Sequence, residues 1–123
     1  MKLRTKQFAL RIINLVASLP NTRTANAIGN QLVRSGASVG ANYRAACRAK
    51  SKADFLHKLA IVEEEADESA YWLELLAEAG FVSSKRLESL RIEANELVAI
   101  IVAASITTLN RGKSEIRNRK SEL

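Results

Sequence analysis

One proline, Pro20, and five glycines are the only strong breakers in 123 residues, and their scarcity restricts the chain to long helices. Between them apolar residues return every three or four positions, and β-branched residues never form an alternating run. Leu3 to Leu19 reads as a first helix, with Phe8, Ile12, Leu15 and Leu19 on one stripe and Pro20-Asn21 closing it. Thr22 or Thr24 caps a second, running to about Ala49, whose inward stripe is Ile28, Leu32, Ser35, Val39, Tyr43 and Ala46. Ser51-Lys52-Ala53-Asp54 resembles a capping box with Asp in place of Glu. It opens a third helix that turns Phe55, Leu59, Val62, Ala66, Leu73 and Leu76 inward and ends at Gly80. Ser83 or Ser84 caps a fourth, amphipathic through Leu87, Leu90, Ala94 and Leu97 and ending near Leu109 or Asn110.

Four helices with short loops predict an all-α fold, an antiparallel up-down four-helix bundle over residues 1–112. After Gly112 the sequence KSEIRNRKSEL loses periodicity and reads as a flexible basic tail, residues 113–123. Three helices with a disordered arm is the alternative. The run Leu97 to Ala104 is apolar on every side, so a surface helix built from it would lack a polar face. That predicts a subunit interface through Val98, Ile101 and Val102, widened by Tyr71, Trp72 and Leu75 on the third helix. The most apolar stretch, Leu97 to Ile106, is short of the roughly 20 residues that a bilayer demands. With no signal peptide legible and a single cysteine, a reduced cytoplasmic setting is the expectation.

Little in the chain suggests catalysis. One Cys and one His make no metal site, and the acids Glu63, Glu64, Glu65, Asp67 and Glu68 all sit on one helix. His57 reads as a surface or interface histidine without a nucleophile to serve, and Cys47, among alanines, as a small packed residue. Gly36 and Gly40 lie inside a helix, without the strand that a phosphate-binding glycine loop follows. No cofactor is implied. Charge is the remaining signal. The net charge is +6, yet residues 1–60 hold eleven Lys and Arg against Asp54 alone, while residues 61–80 hold seven acids and no base. Such polarity fits either nucleic acid or the complementary face of another copy. Arg34, Arg44, Arg48, Lys50, Lys52 and Lys58 cluster around one helix-turn-helix corner as candidate phosphate contacts, with Lys2, Arg4, Lys6 and the C-terminal bases as possible additions.

These residues also carry a resemblance. Arg34-Ser35, Ala37-Ser38-Val39, Ala41-Asn42-Tyr43, Arg48 to Phe55, Glu65-Ala66-Asp67-Glu68, Tyr71-Trp72-Leu73 and Asn95-Glu96-Leu97 follow the pattern of a bacterial four-helix family. The chain resembles the 23S ribosomal RNA intervening-sequence proteins over all but its tail. Ala45 departs from the pattern, standing where the family usually carries Glu. The family is similar to the accessory variability determinant proteins of diversity-generating retroelements. The resemblance therefore implies a homo-oligomer, a pentameric barrel, with a basic surface and no catalysis of its own, and the first expectation is a nucleic-acid-binding protein with RNA favoured over DNA. A reverse transcriptase or an rRNA insertion would be its setting. From another class comes a second expectation, a protein-only scaffold whose basic face meets the acidic third helix of a neighbouring subunit.

Overall fold

The computed structural model describes the backbone of residues 1–122 and the side chains of residues 1–118. Four helices account for almost all of it: α1 (Lys2–Ala17), α2 (Arg23–Cys47), α3 (Lys52–Glu78) and α4 (Ser84–Glu122). Among the described residues there is no strand. α1 begins without a side-chain cap, whereas the starts of α2, α3 and α4 are each set locally by a hydroxyl that accepts an otherwise orphaned N–H. Thr22 Oγ1 accepts from Ala25 (3.2 Å), Ser51 Oγ from Asp54 (3.0 Å) and Ser83 Oγ from Arg86 (3.3 Å). At the end of α3, Gly80 adopts φ +80°, a left-handed conformation costly for any residue with a Cβ. The chain reverses there, and Phe81 N–H returns to the Leu76 carbonyl at 3.0 Å.

α4 is longer than its sequence suggests. It passes Asn110 and Gly112 without a break and continues to Glu122, so residues 113–122 of the expected tail are helical backbone. A lone glycine costs a helix only about 1 kcal/mol, and no proline follows. Leu123 of that tail lies outside the described residues, as do the side chains from Arg119 onward. By length and composition alone α4 could cross a membrane, because its apolar character extends beyond Ile106; 17% of the most apolar window is buried. Its inward stripe, Leu87, Leu90, Ala94, Leu97 and Ile101, is nonetheless part of the core.

That core is drawn from all four helices. Phe8, Ile12, Leu32, Val39, Leu59, Val62, Leu73, Leu76, Leu87, Leu97 and Ile101 are all but sealed from solvent. α1 packs on α2 and α4, and α3 packs on the same two; the pairs α1–α3 and α2–α4 stay apart. As α1 advances from Arg4 through Arg11 to Ser18, its partners on α4 recede from Glu93 and Glu96 through Ser89 to Arg86. α2 comes close to α1 because Gly36 carries no side chain: a Cβ there would stand 2.5 Å from Ile12 Cδ1. The contact of α2 with α3 includes a buried hydroxyl pair. Ser69 Oγ lies 3.0 Å from Ser35 Oγ and 2.8 Å from the Glu65 carbonyl, and Ser35 donates to the Leu32 carbonyl at 3.2 Å.

Candidate nucleic-acid interface

A groove of about 600 Å³ runs between α1 and α2. Its α1 wall is Lys2, Leu3, Thr5, Lys6 and Ala9, and its α2 wall is Ala37, Gly40, Ala41, Arg44 and Arg48. The floor exists because these positions are small, while the cations stand at i and i+4 on each helix and thus on one face. Four residues of helix rise about 6 Å, which sets the spacing of the two charges along each rim. Thr5 is buried and occupied, its hydroxyl directed to the carbonyls of Met1 (3.0 Å) and Lys2 (3.1 Å). No carboxylate and no aromatic ring lines the groove. Among the described residues, none of Lys2, Lys6, Arg44 and Arg48 forms an ion pair.

Two other arginines are already neutralised. Arg4 donates to Glu93 (2.6 and 3.0 Å) and to Glu96 (2.6 Å), tying α1 to α4. Arg34 pairs with Glu65 at 3.3 Å and closely with Glu68, which also accepts from the Trp72 indole at 3.4 Å. The hydrogen bond from Arg34 holds the Glu68 carboxyl below its ordinary range against a smaller opposing effect of burial, and Arg4 does the same for Glu93. Reciprocally, the carboxylates raise both guanidinium pKa values.

The predicted phosphate contacts therefore separate. Arg44 and Arg48 share the groove, joined by Lys2 and Lys6 from α1. Arg34 is turned onto α3 instead, where the charge it would offer an anion is met by two carboxylates. Lys50 is exposed in the turn beyond Arg48, Lys52 reaches over Gly112 of α4, and Lys58 is half-buried on α3; none of them lines the groove. Arg4, one of the possible additions, is likewise occupied. Sequence reading gave the cations but not their pairing, because the acids that silence Arg34 arrive from another helix.

Of the predicted interface residues, Tyr71 is 53% exposed, its ring edge-on to Trp72 at 5.2 Å. Trp72, Leu75, Val98 and Val102 are half-buried. Ile101 does not belong with them: it is 1% exposed within a single chain. Four residues after Leu97, it extends the inward stripe, which an all-apolar run conceals. Cys47 is exposed, not packed, since in the last turn of α2 it is the neighbouring Ala46 that turns into the core. Sequence reading also missed a second stripe on α1, Leu3, Leu10 and Ile13, which faces solvent. Its seven-residue spacing from Leu3 to Leu10 was the available signal.

Fold and groove together define an all-α, four-helix protein with an unneutralised cationic cleft. The family is then given directly. The model of the 23S rRNA-intervening sequence protein family matches residues 2–103, and the chain belongs to that family. It is similar to a crystal structure of a protein of unknown function from the S23 ribosomal protein family of Bacteroides thetaiotaomicron. The two are 38% identical with a TM-score of 0.80, over 85% of this chain and 96% of the other. Among curated proteins, none matches the chain.

Proposed function

We propose that this chain is a non-catalytic RNA-binding protein of the cytoplasm, an up-down bundle that assembles as a homo-oligomer and holds RNA by its phosphates. The single observation behind this reading is the groove of Lys2, Lys6, Arg44 and Arg48, which no carboxylate enters. Guanidinium and ammonium groups left unpaired attract polyanions, and Arg offers a fork matched to phosphate oxygens. The groove has no aromatic lining on which bases could stack, so recognition is of the backbone and tolerant of sequence. The family description, which refers to a segment of ribosomal RNA, favours RNA over DNA.

The protein-only scaffold is the second reading, favoured by the exposed acids Glu64, Asp67, Glu74 and Glu78 along α3. A binding titration with a labelled structured RNA at low salt separates the two. Reversing both Arg44→Glu and Arg48→Glu should weaken binding at least about 30-fold, given roughly 1.5–3 kcal/mol per charged contact. Arg34→Ala should change it less than about threefold, because Arg34 is committed to α3. Equal losses for the two sets, or no RNA binding by the unaltered chain, would refute the groove assignment.

A further inference from the structure

We propose that the groove holds an RNA strand with its phosphates inward and its bases turned to solvent, and that the protein thereby promotes annealing of complementary strands. This rests on the reading that the groove binds RNA; it adds how the strand lies and the activity that follows. As α2 advances from Gly29 through Gly36 to Gly40, the side chains nearest it on α1 recede from Val16 through Ile12 to Thr5. Lys2 lies three residues from Thr5 toward the start of α1, and Arg44 four from Gly40 toward the end of α2, so the two stand level across the groove. Lys6 and Arg48 are each four residues further on, in opposite directions, which spreads the charge lengthwise over about 13 Å. At the floor the two backbones nearly touch, since a Cβ on Gly40 would stand 3.5 Å from the Thr5 carbonyl carbon. The rims are therefore close enough for one sugar–phosphate strand, running lengthwise, to be reached from both sides.

Space alone would admit a base, because the groove encloses about 600 Å³. Its lining gives a base nothing to hold. Bases are held by stacking on aromatic rings or by polar groups matched to their edges. Between the cations the lining is Leu3, Ala9, Ala37, Gly40 and Ala41, with Thr5. The Thr5 hydroxyl already donates to the Met1 and Lys2 carbonyls, and the peptide groups of both walls are spent within their helices. Phosphate oxygens, being charged, take the guanidinium and ammonium groups in preference to neutral base edges. A strand gripped in this way presents its pairing edges outward with part of its charge neutralised. A complementary strand then approaches against weaker repulsion and pairs without displacing the protein. A cleft that stacks bases does the reverse, because a base held by the protein is withdrawn from its complement.

The test uses the full chain and two complementary, unstructured RNA oligonucleotides, one carrying a fluorophore and the other a quencher, mixed at low salt. Binding to each strand alone is measured first. The unaltered chain should raise the annealing rate at least about tenfold, an effect of the size that charge complementarity gives to association. Arg44→Ala with Arg48→Ala should remove most of that acceleration, and Arg34→Ala should keep it, because Arg34 is held by α3. Added to the preformed duplex, the protein should leave its melting temperature unchanged or raise it. RNA that binds while annealing is unchanged or slowed, or a duplex that melts earlier, would place bases in the groove and overturn the inference, leaving RNA binding intact. Acceleration that survives the double substitution would move the activity out of the groove and overturn it as well. Failure to bind either strand would defeat the RNA-binding reading itself, and this inference with it.

Discussion

Ile101 and Ile106 are five positions apart on α4, yet one is sealed in the core and the other is 52% exposed. Placing a carboxylate at the first buries an unpaired charge, while at the second it meets water. Ile101→Asp should therefore cost more than about 4 kcal/mol and unfold the subunit, where Ile106→Asp should stay within about 1 kcal/mol. Urea titration followed by circular dichroism measures both; a folded Ile101→Asp chain would contradict the packing described. Periodicity could not separate the two, because between Leu97 and Ala104 no polar residue marks the outside. The helix's own earlier stripe does: Leu90, Ala94 and Leu97, extended by four, reach Ile101. Gly36 is a similar case. Alanine there gains up to about 1 kcal/mol of helix propensity but meets Ile12, which is fully enclosed and has nowhere to retreat.

Helix boundaries were legible wherever a local device sets them. Thr22, Ser51 and Ser83 cap their helices through hydrogen bonds within three residues, and Gly80 ends α3 through its own backbone angle. The end of α4 was not legible, since Thr107, Thr108, Asn110 and Gly112 weaken a helix without forbidding it. Between elements the sequence is silent about partners, which is why Arg34 and Arg44 look alike in one dimension and differ in the fold. The Arg34 and Arg4 clusters have a consequence for pH. Glu68 and Glu93 have folded pKa values below the ordinary carboxylate value of about 4.3, chiefly through hydrogen bonds from Arg34 and Arg4. A depressed folded pKa contributes stability that is complete above the unfolded pKa and lost as pH falls through the folded one. The melting temperature should thus decline as pH drops below about 4, and Arg4→Gln combined with Arg34→Gln should flatten that decline. Parallel curves for the two proteins in thermal melts would show that these pairs do not carry the acid sensitivity.

The molecule as a whole is polar in the electrical sense, with bases on α1 and α2 and acids on α3. Folding divides those charges by use: some bases join helices, and four are left lining a cleft. The account depends on those four meeting phosphate, and salt dependence tests this most directly. Neutralising four phosphates predicts a slope of log affinity against log salt near −3, from about 0.7 per contact on single strands to about 0.9 on duplex. Arg44→Ala with Arg48→Ala should reduce its magnitude by about 1.4 to 1.8. A slope unchanged by that double substitution would contradict the account.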